Sequence, residues 1–289
     1  MTAPRKDDVS GVDTTGHEWD GLEELNNPLP RWWLWVFLIT IVWSIGYWIV
    51  MPTWPLISDH TRGVLGYSQR AVVADSIAKA KLAQGGYAQR LAALPGGESP
   101  ADPDLRAFAL GGGRSAFAVN CSQCHGSGAA GAKGYPNLND DDWLWGGELA
   151  EIEKTIRVGI RSSHADTRVS DMPAFGRDGL LTAAQISDAA DFVISLSQPQ
   201  SAAAPGVLRG KAVFAENCAA CHGETGRGNR ELGAPNLADA IWLYGGDKAS
   251  IQATIANSRR GVMPTWEGRL EDVTIRQLAI YVHSLGGGE

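Results

Sequence analysis

The sequence has no excess of positive charge. Its 289 residues include 25 Lys and Arg against 32 Asp and Glu, which gives a formal net charge of −7. A nucleic-acid-binding protein needs a basic face for phosphate contacts, so this balance argues against a nucleic-acid partner. Charged residues make up only 20% of the chain and hydrophobic residues 44%, a composition that excludes a disordered chain.

One stretch lacks charge completely. Residues 32–58 contain no Asp, Glu, Lys or Arg, and 20 of them, from Trp32 to Met51, are long enough to cross a bilayer as a helix. Seven of the 11 Trp precede residue 55 and lie mostly near the two ends of this run, as in membrane-spanning helices. No small-residue cleavage site follows. The pattern predicts an uncleaved anchor over residues 32–54, in contact with membrane lipid.

Cysteine is scarce, and all four residues belong to two copies of Cys-x-x-Cys-His, at 121–125 and 218–222. This motif is typical of c-type haem attachment. Zinc knuckles would not be 97 residues apart with a His after each, and a thioredoxin-like pair would need a βαβ context. We predict two covalent haem c groups. Their expected thioether and proximal iron ligands are Cys121, Cys124, His125, Cys218, Cys221 and His222.

Two of the four methionines are candidates for the opposite iron ligand. Met172 and Met263 are each followed by Pro, a third residue and an aromatic, and they lie 47 and 41 residues after His125 and His222. Ligation by His and Met raises a haem's reduction potential and leaves no open site for substrate, which favours electron transfer over catalysis. We favour local pairing, Met172 with His125 and Met263 with His222. The crossed pairing remains open.

The two haem regions form an internal repeat of about 80 residues. Matched features are a Gly four residues before a Phe, a Pro-Asn-Leu run, a Trp-Leu-aromatic-Gly-Gly run and a final apolar helix. Gly113 and Gly210 should let the first helix approach the last one closely, with Phe192 and Tyr281 as the facing residues. The predicted fold is all-α: one transmembrane helix, then two tandem class I cytochrome c domains. The predicted segments are 1–31 (N-terminal docking), 32–54 (anchor), 55–103 (helical connector), 104–198 (first domain) and 206–289 (second domain).

Smaller features carry further expectations. Pro136 and Pro235 should each offer a carbonyl oxygen to the proximal histidine of their repeat. The first repeat has 15 residues between Ile156 and Met172, where the second has seven between the equivalent positions. This insertion contains His164, either a surface-loop residue or a rival axial ligand.

The segment before the anchor narrows the assignment. The run from Gly16 to Arg31, GHEWDGLEELNNPLPR, followed by one anchor and two haem motifs, resembles the dihaem subunit (subunit III, CcoP or FixP) of bacterial cbb3-type cytochrome c oxidases. The resemblance covers essentially the whole chain. It implies an electron-transfer subunit with no catalytic site of its own.

The resemblance also implies partners and location. Electrons would come from a cytochrome c or a quinol-cytochrome c reductase and pass to the monohaem cytochrome c subunit and the catalytic haem-copper subunit. The chain would lie in the bacterial inner membrane, with residues 1–31 cytoplasmic and the haem domains periplasmic. The alternative is a free-standing, membrane-anchored dihaem shuttle, for which a pre-anchor docking segment would be unnecessary.

Overall fold

The computed structural model describes residues 5–198 and 204–288, so residues 199–203, between the two predicted cytochrome c domains, lie outside the described residues. Within the described ranges the regular secondary structure is helical apart from one short hairpin, and the predicted all-α class is confirmed. The elements are β1 Thr14–Trp19, β2 Leu22–Leu25, α1 Arg31–Val50, α2 Gln69–Ala92, α3 Pro103–Asn120, α4 Ser122–His125, α5 Leu149–Val158, α6 Ala183–Ser197, α7 Pro205–Asn217, α8 Ala219–His222, α9 Lys248–Asn257 and α10 Asp272–His283. The chain divides into two compact units after Leu82.

The first unit contains the hairpin and the apolar helix. Strands β1 and β2 are antiparallel, with Trp19 opposite Leu22. The connecting residues Asp20 and Gly21 both have positive φ, 52° and 86°, as the tightest hairpin turns require. Helix α1 has a mean hydropathy of 1.9 and none of its side chains is buried, as expected of a helix that faces lipid.

In the second unit the two repeats exchange their last helices. Helix α3, the first of repeat 1, packs against α10, the last of repeat 2, and α7 packs against α6. The ring of Phe117 lies 5.5 Å from that of Tyr281, and Phe192 lies 5.0 Å from Phe214. The predicted facing aromatics are therefore confirmed, but each faces the first helix of the other repeat.

Two apolar cores follow from this exchange. One joins α3 and α5 to α10, and its fully buried members include Phe117, Ile275 and Leu278. The end of α2 belongs to it as well, because Leu91 has no exposed surface and Arg276 donates hydrogen bonds to the carbonyls of Leu94 and Pro95. The other core joins α6 to α7 and α9.

Close helix contact makes two glycines irreplaceable. A Cβ on Gly113 would lie 2.2 Å from the carbonyl oxygen of Gln277, and one on Gly210 would lie 1.9 Å from that of Asp188. Both obstacles are backbone atoms, which cannot rotate away as a side chain can. The first and last helices of each pair therefore touch through their backbones.

Gly210→Ala is expected to destabilise the chain by about 3 kcal/mol, because a Cβ would push α7 away from α6. The matched control is Gly111→Ala in α3, where a Cβ meets nothing within 4 Å. That change should stabilise the helix by about 1 kcal/mol. Urea unfolding of the purified haem-loaded chain measures both. Equal effects at the two positions would contradict the backbone contact.

Candidate functional site: two clefts between exchanged repeats

Each Cys-x-x-Cys-His motif forms one helical turn at the end of a long helix. Cys121 ends α3 and Cys218 ends α7, and in each copy the His amide donates to the carbonyl of the first Cys, at 2.9 and 3.0 Å. A glycine with positive φ, Gly126 or Gly223, follows each His and ends the turn. Both cysteines and the His of each motif are thus held on one short, rigid turn.

The orientation of each proximal histidine is fixed by one hydrogen bond. His125 Nδ1 donates to the carbonyl of Pro136 and His222 Nδ1 to that of Pro235, both at 3.0 Å, which confirms the predicted partners. A carbonyl only accepts, so Nδ1 carries the proton and Nε2 keeps its lone pair. Burial lowers the pKa of both imidazoles, which favours the neutral form that a metal requires.

The methionines lie in the opposite clefts from those we expected. Met263 packs into the core that contains Cys121, and Met172 packs into the core that contains Cys218. The expectation of local pairing is therefore wrong. The reason is the helix exchange, because the chain leading to α10 carries Met263 past the first cleft on its way.

Backbone hydrogen bonds hold the Met263 segment to the first repeat. Ile160 and Met263 exchange both of their amide–carbonyl bonds, each at 3.0 Å, and the hydroxyl of Thr265 donates to the carbonyl of Arg157 at 2.7 Å. An ion pair of 2.6 Å joins Arg157 to Asp272 at the start of α10. The segment is therefore bound along its length rather than by Met263 alone.

The Met172 segment is held to the second repeat in a related way. The amide of Phe175 donates to the carbonyl of Ile255 at 3.1 Å, and the hydroxyl of Ser258 donates to the carbonyl of Met172. Asp171 forms an ion pair of 2.6 Å with Arg260. Each cleft thus takes its Cys-x-x-Cys-His turn from one repeat and its methionine from the other.

A cavity of about 620 Å³ fills the second cleft. This volume is typical of cofactor sites. Cys218, Cys221 and His222 line the cavity together with Met172. Its apolar lining residues include Phe214, Val193, Ile251, Ile255, Leu237 and Trp242. Two thiols for thioethers, a neutral imidazole and a thioether sulfur in an apolar cavity are the donor set that haem c needs, so the residues fit the group.

The insertion in the first repeat does not supply a rival ligand. His164 Nε2 donates to Glu267 at 2.8 Å, and its Nδ1 accepts from the amide of Asp166 at 3.0 Å. Both ring nitrogens are therefore occupied outside the cleft. Because Glu267 follows Met263 by four residues, the insertion adds another contact between the first repeat and the exchanged segment.

Two arginines of the site were not predicted from the sequence. The guanidinium of Arg168 lies 5.1 Å from the ring centre of Trp145, and that of Arg259 lies 4.8 Å from the ring centre of Tyr244. The two aromatics occupy matching positions in the Trp-Leu-aromatic-Gly-Gly runs. The arginines themselves do not align, because the insertion separates Arg168 from α5, so sequence comparison of the repeats could not pair them.

Comparison with known proteins identifies the family of this chain. The family described as cytochrome c oxidase, cbb3-type, subunit III matches residues 109–193 and 205–282, and the N-terminal domain of FixP from cbb3 cytochrome oxidase matches residues 11–58. The chain belongs to the subunit III family of cbb3-type cytochrome c oxidases. The predicted resemblance is confirmed, including the contribution of the segment before the anchor.

Relatives match over nearly their full length. The cbb3-type cytochrome c oxidase subunit FixP of Bradyrhizobium sp. is 54% identical over 98% of both chains, and that of Rhizobium meliloti is 54% identical over 98% of this chain and 97% of its own. Subunit CcoP of Azospirillum brasilense is 52% identical over 100% of both chains. This chain is accordingly a haem c-containing, membrane-anchored electron-transfer subunit of such an oxidase, and the other oxidase subunits are its partners.

Proposed function

We propose that the chain carries two covalent haem c groups, one in each cleft, and passes single electrons through them. Cys121 and Cys124 would hold the first haem, and His125 and Met263 would bind its iron. In the second cleft the corresponding residues are Cys218, Cys221, His222 and Met172. The observation that carries this proposal is the cavity that brings Met172 together with the second Cys-x-x-Cys-His turn.

The axial ligands determine what such haems can do. The bound haem supplies a one-electron iron couple, and methionine opposite histidine keeps the potential high. A haem iron held by both a histidine and a methionine would offer no open site to substrate, so oxygen reduction would belong to another subunit. The role of this chain's own residues is to attach, orient and shield the two groups.

The proposed direction of transfer follows the family. Electrons would enter from a cytochrome c or a quinol-cytochrome c reductase and leave to the monohaem cytochrome c subunit and then the catalytic haem-copper subunit. The proposed membrane is the bacterial inner membrane. Bacteria attach haem c outside the cytoplasmic membrane, so residues from about 55 onward would be periplasmic and residues 1–31 cytoplasmic.

The N-terminal hairpin is the proposed docking element for the other subunits. Trp19 and Leu22 face each other across β1 and β2, and 66% and 76% of their surfaces are exposed. Exposed large apolar side chains beside a membrane helix favour a contact with protein. The hairpin would be cytoplasmic in the proposed topology, so it would hold the complex together without taking part in electron transfer.

Removing residues 1–82 should separate electron carrying from oxidase function. The exported fragment 83–289, which is the second compact unit, is expected to be soluble and to bind two haems. It should restore less than about a tenth of the oxygen consumption in cells that lack the full chain, because a donor that is not held beside its acceptor reacts far more slowly. Oxygen uptake and haem-stained gels measure the two properties.

Two controls separate anchoring from docking. The first is fragment 83–289 carrying an unrelated single membrane helix, which should reach the membrane without joining the oxidase. The second is the full chain with Trp19→Ala and Leu22→Ala, which should keep both haems and co-purify poorly with the catalytic subunit. Full rescue by the soluble fragment would contradict the docking role of the N-terminal unit.

A further inference from the structure

The two arginines that stack on the repeated aromatics lie against equivalent turns of α5 and α9. Arg168 donates to the carbonyl of Glu151 at 3.2 Å, and Arg259 donates to the carbonyl of Ser250 at 2.6 Å. Glu151 and Ser250 are equivalent positions, four residues before the matched Thr155 and Thr254. The guanidinium groups therefore sit on the same turn of α5 and α9, although they come from different places in the sequence.

The insertion in the first repeat explains how Arg168 arrives there. The chain leaves α5 at Gly159 and returns so that the amide of Arg168 donates to the carbonyl of Gly159 at 3.1 Å. Residues 160–167 form a loop whose two ends meet, and Arg168, which follows this loop, takes the position that Arg259 has in the second repeat. Loops of two different lengths thus place an arginine at the same position of both repeats.

Each guanidinium is suited to an anionic group inside its cleft. Arg259 lines the cavity of the second cleft, as do Lys133 and Arg161. Only 9% of the Arg168 side chain is exposed, and its Nε has no hydrogen-bond partner among the described residues. A buried guanidinium nitrogen without an acceptor is costly, and a carboxylate is the acceptor that suits a guanidinium best. Haem has an acidic edge of two carboxylates.

The equivalent positions Glu151 and Ser250 differ in charge. The carboxylate of Glu151 contacts the guanidinium of Arg168, whereas the equivalent Ser250 has no charge. Within the part of the chain that the structure describes, no carboxylate forms an ion pair with Arg259. A neighbouring cation favours the reduced, less positive iron, and a carboxylate that neutralises the cation removes this effect.

We propose that Arg168 and Arg259 bind the carboxylate edge of the haem in their respective clefts, and that Glu151 keeps the first haem at a lower reduction potential than the second. The inference rests on the proposed placement of one haem in each cleft. It gives the two haems an order: an electron shared between them resides mainly on the haem attached at Cys218 and Cys221.

The other charges that line the second cavity balance in number, so they do not reverse this order. Arg260 is neutralised by Asp171, and the two carboxylates Asp140 and Asp142 are matched by the two cations Lys133 and Arg161. Burial, together with Asp239 and Asp140, raises the pKa of Asp142 to about 6. The haem potentials are therefore best compared at about pH 8, where this carboxyl is ionised in every variant.

The test is a spectroscopic redox titration of the full, detergent-solubilised chain with its haems. Glu151→Gln should raise the lower of the two haem potentials, and Ser250→Glu should lower the higher one. Both changes should therefore reduce the difference between the two potentials. Arg259→Gln should also lower the higher potential. Glu148→Gln is the matched control, because this residue is exposed and lies three residues from Glu151.

The outcomes separate this inference from the function on which it rests. Covalent haem is counted first, as haem per chain; fewer than two haems in the unsubstituted chain would defeat the two-haem proposal itself. With two haems present, unmoved potentials in both Glu151→Gln and Ser250→Glu would overturn the inference. Met172→His identifies which redox transition belongs to the haem of the second cleft, because it should lower that potential. If Glu151→Gln moved this transition instead of the other one, the inference would be overturned as well.

Discussion

Replacing Met263 with His is expected to change the axial ligand of the haem attached at Cys121 and Cys124, which lie 142 and 139 residues earlier in the chain. The haem attached at Cys218 and Cys221 should keep its methionine. The reason is that Met263 packs into the first cleft, beside the Cys121 turn. Axial ligands move haem potentials over a range of about 0.8 V, so the loss of one methionine should lower one potential strongly.

The measurement is the charge-transfer band of methionine-ligated ferric haem, together with a redox titration. Met263→His should remove half of the band and lower one of the two potentials. In a chain whose first haem is removed by Cys121→Ala and Cys124→Ala, Met263→His should have no effect. Met172→His in that same background should remove the remaining band. If Met263→His removed the remaining band in that background and Met172→His had no effect, the local pairing would be right.

A chain rebuilt to contain one complete cleft should fold, whereas one contiguous repeat should not. Residues 83–198 contain the first Cys-x-x-Cys-His turn but lack Met263 and α10, so Phe117, Leu105 and Ile152 would lose the helix against which they pack. Joining residues 83–161 directly to 261–289 supplies these parts. Ile160 and Met263 already form an antiparallel pair, and the new connection between them is a three-residue loop, a common hairpin length.

The expected difference is large. The joined chain should bind one haem with a methionine ligand and unfold cooperatively, and fragment 83–198 should show haem without methionine ligation and little protection from protease. Absorption spectra and limited proteolysis distinguish these results. If fragment 83–198 showed the full methionine band, Met172 would serve the first cleft, and the crossed arrangement would be wrong.

The parts of each cleft could be predicted from sequence because they are local. A Cys-x-x-Cys-His turn, a proline carbonyl 11 or 13 residues beyond its histidine, and a glycine one turn before a phenylalanine are fixed by nearby residues. The membrane helix follows from the absence of charge in residues 32–58 alone. These features are the same whether the last helix packed against a repeat is its own or that of the other repeat.

The pairing of the copies could not be predicted, because both last helices present a similar apolar face. Closing the loop from His125 to Met263 instead of Met172 costs only about 1 kcal/mol in chain entropy. One or two hydrogen bonds can offset that cost. Contacts that differ between the copies, such as the bonds of Arg157 to Asp272 and of His164 to Glu267, are of this size and appear only in three dimensions.

The hairpin had a sequence signal that we did not use. Asp20-Gly21 between Trp19 and Leu22 is one of the strongest two-residue turn sequences, and the structure has the turn there. Arg168 had no such signal, because the insertion moved it away from the position that matches Arg259.

The exchange of last helices also determines the order in which the molecule can be completed. The chain is synthesised from its N-terminus, so the first Cys-x-x-Cys-His motif emerges early, but Met263 and α10, which close the cleft around it, emerge last. The second cleft needs no residue beyond its own helices and the Met172 segment before them. The first site to be synthesised is therefore the last to be enclosed, and a chain truncated near its C-terminus loses the first site while the second stays whole.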